Sequence, residues 1–228
     1  KHHSNEDDGQ IGCVLNSLYN RDPMSHGHIN FTRCGLPIDV QKRIGEKFWG
    51  SPDTVDAIGD YTPTNIYKMK RLQWVVARKE LHDMLGICSW TAPWEVSPLR
   101  EKGYIGDIEM ESKVFRAVTG IEMTQDDLDK AGLRAFILQR LYTMRQLKSR
   151  NPRQDHDQYP EWIFWDPKDK APFTKGTIRM ERSDIEKSFD LFYGLMDFDV
   201  KTGAPTEKSL KEYGLDFALP TMKQEGLM

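Results

Sequence analysis

With 228 residues, the chain is long enough for one large or two small domains and for a core that needs no disulfide support. Its 32 Lys and Arg are interspersed among 35 Asp and Glu, and the net charge of −3 excludes the basic footprint of a nucleic-acid binder. No apolar run approaches the roughly 20 residues of a membrane span, and no signal-peptide pattern opens the chain.

The polar, acidic opening, residues 1–10, reads as a loop. From 35 to 64 the chain is broken by glycines and prolines and reads as loops around one short helix near 40–49. Between 65 and 85 the pattern changes. Ile66, Met69, Val76, Leu81, Met84 and Leu85 recur at three- and four-residue spacing among Lys, Arg and Glu, which predicts an amphipathic helix stopped by Gly86. A second helix is expected over 107–119, ending before Gly120. Thr124 and Asp127 resemble a capping box for a third helix running to about Arg150. The apolar face expected there is Leu128, Ala131, Ala135, Leu138, Leu141 and Met144, with Phe136 and Tyr142 alongside. Ser183 and Glu186 form another capping box, opening a helix that carries Ile185, Phe189, Phe192, Tyr193 and Met196. Strand signals are confined to short pieces such as 177–180, so the fold class is mostly α. Between the last two helices lies an aromatic loop, 159–173, with Trp162, Phe164 and Trp165. Its rings either cap a core edge or form a partner surface or channel wall.

Three cysteines, Cys13, Cys34 and Cys88, are too few and too far apart for a secreted disulfide scaffold, and point to a cytoplasmic protein. No two form a CxxC pair, so any cluster must borrow ligands from elsewhere. Cys13 and Cys34 read as small buried or half-buried side chains. The sharpest local feature is Asp83-Met84-Leu85-Gly86-Ile87-Cys88. An acid in the last helical turn opposes the helix dipole and needs compensation, such as a donor on a ligand. Gly86 would let another body approach the backbone, and Cys88 follows at once. The plainer reading is a glycine-terminated helix with a buried cysteine. A second candidate is the loop from Asn20 to His28, where His26 and His28 could be metal ligands, proton donors or neither. His2 and His3 read as incidental, and His82 and His156 as solvated.

The Asp-x-x-Gly-x-Cys string at 83–88 resembles the pterin-and-cluster motif of the tungsten aldehyde:ferredoxin oxidoreductases. The run from Phe192-Tyr193 through Gly203-Ala204-Pro205-Thr206 and Leu210 to Tyr213-Gly214-Leu215 is similar to that family's ending. The Asn20-Arg21 loop with its following histidine fits the same order, so the resemblance spans most of the chain. It implies the helical C-terminal domains of that fold, with the β base that grips the pterins absent from this chain. Residues 1–64 would be a loop-rich segment lining the active site and ending the middle helical domain. Residues 65–228 would be the C-terminal helical domain.

The resemblance further implies a tungsten atom (molybdenum in some members) held by two pterins beside a [4Fe–4S] cluster. Cys88 would ligate one iron, Asp83 would accept hydrogen bonds from a pterin, and the backbone at Gly86 and Ile87 would lie against it. His26, with His28 next, matches the proton-moving histidine near the metal. Such an enzyme oxidises aldehydes to acids and passes electrons to ferredoxin or an electron-transfer subunit; an oligomer is expected.

Two departures bear on the substrate. The usual Gly-Ala-Cys-His after Asn-Arg is replaced by Asp22-Pro23-Met24-Ser25-His26, and the usual Leu-Pro-Lys-Arg stretch by residues 157–162. These look more like the branch containing the tungsten subunit of ATP-independent benzoyl-CoA reductases, which would make an aryl-CoA the substrate. A third reading, a non-catalytic helical interaction module using the Trp162 and Trp165 loop, gives Asp83 and Cys88 no role.

Overall fold

The computed structural model describes residues 9–19, 35–57, 61–89, 94–164 and 181–228, and of Trp162 the backbone alone. The chain is mostly helical. In order, the helices are α1 (Gly9–Leu18), α2 (Ile38–Trp49), α3 (Ile66–Leu85), α4 (Met110–Thr119), α5 (Gln125–Leu147), α6 (Pro152–Asp155), α7 (Arg182–Leu195), α8 (Glu207–Glu212) and α9 (Leu219–Gln224). Outside them, β pairing among the described residues amounts to two isolated antiparallel bridges, Val96 with Ile105 and Phe198 with Pro205. No helix among the described residues is long and apolar enough to cross a membrane.

Helix α3 is the axis of the molecule. Asn65 caps its start by accepting a hydrogen bond from the Lys68 amide at 2.9 Å. It packs most extensively on α5, and also on α1, α2 and α7. Enclosed on several sides, it has no single apolar stripe: every residue from Val75 to His82 is buried. The expected Met84 instead stands 50% exposed, because it lies beyond the end of the packed region. The approach of α3 to α5 is close, since a Cβ on Gly132 would sit 2.2 Å from the Ala77 carbonyl oxygen.

Helix α5 begins as expected, with both halves of the Thr124–Asp127 capping box present. Its buried face is rotated from the expected one. It runs through Leu128, Gly132, Leu133, Phe136, Ile137, Arg140, Leu141 and Met144, while Tyr142 is 56% exposed. The buried Arg140 explains the shift. It donates from Nε to the Gly203 carbonyl at 2.7 Å and forms an ion pair with Asp157, so a charged residue lies within the core stripe. Helix α7 buries Ile185, Phe189, Phe192 and Tyr193, with Met196 at its end, as its spacing indicated. Its N-cap, however, is Glu181 with no side-chain cap, not Ser183. Glu186 is drawn to the Tyr159 hydroxyl and to Arg153 instead.

The opening is a further departure. Residues 9–18 form α1, all ten of them buried, where a loop was expected up to Gln10. Cys13 lies in the core at 1% exposure, so the reading of a small buried side chain holds for it. The start of the aromatic loop caps a core edge: Tyr159 stacks on Phe189 with centroids 6.2 Å apart and meets Phe164 edge-on at 5.5 Å. Trp165, the remainder of that loop and the expected strand at 177–180 lie outside the described residues.

Candidate functional site

The Asp83–Cys88 string forms the terminus of α3. Gly86 adopts the left-handed conformation, φ 68°, which an L side chain rarely takes, and its amide donates to the His82 carbonyl. The Ile87 amide donates to the same carbonyl at 2.9 Å, the six-to-one bond of a Schellman ending. Beyond this turn Asp83, Gly86 and Cys88 are exposed and Ile87 is half-buried. Among the described residues nothing lies within 4 Å of a Cβ built on Gly86, so none of them crowds that position. The exposure of Cys88 overturns the plainer reading of a buried thiol.

The compensation expected for Asp83 comes from within the chain. Lys79, one turn back and with its side chain 4% exposed, forms an ion pair with Asp83 Oδ1. The buried ammonium offsets the unfavourable dipole position, so a ligand is not required on that ground.

His82 is buried at 4% exposure, contrary to the solvated position expected for it. Its Nε2 lies 3.0 Å from Glu111 Oε1 and its Nδ1 3.0 Å from the Ser89 hydroxyl. Glu111, on α4, also accepts from Arg78 Nη1 at 2.6 Å. A carboxylate engaged by a guanidinium only accepts, so His82 Nε2 is the donor to Glu111, while Nδ1 pairs with the Ser89 hydroxyl. Arg78 is held in turn by the Ile108 carbonyl at 2.7 Å and by an ion pair with Asp129 at 2.7 Å. Burial raises the Asp129 carboxyl above its usual range, against the pull of Arg78. Close by, burial pushes Glu95 up to about 7 despite Arg71 and Arg78.

This polar group behind the motif has little signature in the sequence. One signal was available: Arg78 and His82 are four residues apart, so they share a face of α3. Their acidic partner on another helix left no local trace. His156, also expected in solvent, is 8% exposed and bonds through Nδ1 to Asp157 at 2.8 Å. It is far in sequence from the motif, within the Arg140 ion pair.

Among the described residues no group of three or more His, Cys, Asp or Glu is arranged to hold a metal ion. What the turn offers is one exposed thiol, one exposed carboxylate and a glycine that no described residue crowds, which fits a contributor of single contacts to a larger centre. His26, His28 and Cys34 lie outside the described residues.

A family model described as aldehyde ferredoxin oxidoreductase, domains 2 and 3, matches residues 27–215. That is 189 of the 228 residues, counting 27 through 215 inclusive. The chain belongs to the aldehyde ferredoxin oxidoreductase family. The match takes in the α3 terminus, the Arg78–His82–Glu111 group and the run from Phe192 to Leu215, while the Asn20-Arg21 loop and His26 lie before its start. In this family the chain represents the helical domains 2 and 3 of an oxidoreductase.

Proposed function

We propose that this chain forms the cofactor-facing helical part of a tungsten-bis-pterin, [4Fe–4S] oxidoreductase that converts aldehydes to carboxylic acids. The observation that carries the reading is the α3 terminus. Asp83, Gly86 and Cys88 stand exposed together on one ordered turn in a chain of this family. Aldehyde and water give the acid, two electrons and two protons. The cofactors, when bound, supply the two-electron acceptor and the one-electron relay that no side chain here can be.

Each residue has a defined task. The Cys88 thiolate is an iron ligand, and its exposure suits approach from outside this chain's body. Asp83 presents a carboxylate to pterin N–H groups, steadied by Lys79 on Oδ1. The backbone at Gly86 and Ile87 lies against the pterin, because Gly86 carries no side chain to hold it away. His26, with His28 next, holds the proton released at the reacting carbon, a role that suits an imidazole near neutral pH. Ferredoxin or an electron-transfer subunit takes the electrons.

The test is Cys88→Ala in the full-length protein purified without oxygen. Iron content and the EPR signal of the reduced cluster are followed beside aldehyde-dependent viologen reduction. The expected result is loss of cluster signal and at least a tenfold fall in activity, with the helical circular dichroism retained. Unchanged iron, EPR and activity in the variant would sink the cofactor-facing reading. A wild-type protein that reduces benzoyl-CoA with a strong reductant, yet ignores aldehydes, would keep the cofactors and overturn the substrate.

A further inference from the structure

We propose that His82 is a positioning residue for the cluster ligand, gripping the chain on both sides of Cys88; this rests on the reading of Cys88 as an iron ligand. The geometry is specific. The His82 carbonyl accepts the Ile87 amide at 2.9 Å, one residue before the cysteine. The His82 ring meets the Ser89 hydroxyl at 3.0 Å, one residue after it. A single buried residue therefore holds the backbone just before Cys88 and the Ser89 side chain just after it, while Cys88 itself remains exposed.

The grip is stiff because the ring cannot turn. Glu111 Oε1 holds Nε2 at 3.0 Å, and Glu111 Oε2 is held by Arg78 at 2.6 Å. Arg78 is tied to α4's approach through the Ile108 carbonyl and to α5 through Asp129. The side chains of Arg78, His82 and Glu111 are 4%, 6% and 0% exposed, respectively. Packing alone does not call for such a group, since apolar residues of similar volume commonly match or exceed a buried ionic network in stability. Its outer end, the Ser89 hydroxyl, adjoins the proposed ligand. The chain of bonds thus transmits the rigidity of three helices to one thiol. Hydrogen bonding and orientation around a ligating sulfur set a cluster's potential and its hold on iron.

Ser89→Ala is the informative variant. It removes only the outermost bond and leaves Arg78, His82 and Glu111 paired, so the fold is spared; Ser89→Thr restores a hydroxyl. In the anaerobically purified holoenzyme, Ser89→Ala is expected to load the same iron as wild type. It should release that iron to a chelator several-fold faster, with a shifted midpoint potential and altered EPR line shape, and Ser89→Thr should restore all three. Wild-type release rate, potential and line shape in Ser89→Ala overturn the proposal. Cys88→Ala separates this failure from the larger one. If that variant loses the cluster while Ser89→Ala behaves as wild type, the positioning role alone falls. If it keeps the cluster unchanged, the ligand assignment falls and the positioning role with it.

Discussion

Burial of Glu95 disfavours its charge, and replacing it by Gln should stabilise the protein in a pH-dependent way. The residue is 3% exposed, and its backbone carbonyl is fixed by the Gly106 amide at 3.1 Å. Burial drives its carboxyl from 4.5 to about 7; its own backbone amide, Arg71 and Arg78 pull the other way, and Glu111 adds to the rise. In the window between those two values the folded chain binds more protons at this site than the unfolded chain. Stability at this site therefore falls as pH climbs through the window and stays low above it. At about 1.4 kcal/mol per pH unit, the full rise corresponds to about 3 kcal/mol. Gln cannot ionise and is close in shape. The Glu95→Gln variant should thus exceed wild type by less than about 1 kcal/mol at pH 5 and by about 3 kcal/mol at pH 8.5. Urea unfolding of both proteins at the two pH values measures the difference directly. A variant less stable than wild type at pH 8.5 would refute the reasoning, because it would mean that Arg71 and Arg78 more than repay the burial of an ionised Glu95.

Two other perturbations test the frame around the site. Gly132→Ala should cost about 1–3 kcal/mol, because the new Cβ would lie 2.2 Å from a backbone oxygen of α3 that no side-chain rotation can move. A thermal melt should show the midpoint falling by several degrees, and an unchanged midpoint would mean that α3 and α5 are farther apart than described. Asp157→Asn should cost about 3–5 kcal/mol at pH 7 by stranding the buried Arg140. Burial opposes ionisation of Asp157, but Arg140 and hydrogen bonds from His156 and Tyr193 outweigh it and hold the carboxyl at about 2. The contribution is full above its ordinary value of 3.8 and is lost as pH falls through about 2, so the gap between variant and wild type should narrow there. A gap that stays constant from pH 5 to pH 2 would show that charge is not its source.

The helices legible in the sequence were those with one wet face and a local signal at the start. Helix α7 shows its apolar period because its other side is solvated, and α5 announces itself through Thr124 and Asp127, whose bonds close within four residues. Helix α1 gave no such contrast, since all ten residues are buried and a helix buried all round has no period to read. The face of α5 was misplaced for a related reason. Arg140 occupies a core position that a polarity pattern reads as solvent, and its partners Asp157 and Gly203 lie 17 and 63 residues away. Long-range pairing likewise hid His82, whose acidic partner is 29 residues on. Ser183 and Glu186 failed in the opposite sense: the local motif is present, but Tyr159 and Arg153 outcompete the backbone for Glu186.

The same contrast bears on why the α3 terminus remains a candidate site. Asp83 opposes the helix dipole, and Lys79 answers that charge internally. An acid in the last turn is therefore weak support for a ligand whenever a basic residue lies four positions earlier. Exposure is the stronger sign. A turn carrying a carboxylate and a thiol is left open to solvent, while the residue behind it is tied to Glu111 and Ser89. Rigid backing costs conformational and desolvation free energy that a solvent-facing loop does not need for folding alone. On the proposed reading of Cys88 as an iron ligand, backing that ends directly beside it would serve the group that meets the thiol from outside. Iron, which is sensitive to both the angle and the hydrogen bonding of its sulfur donors, is the partner that would exploit it.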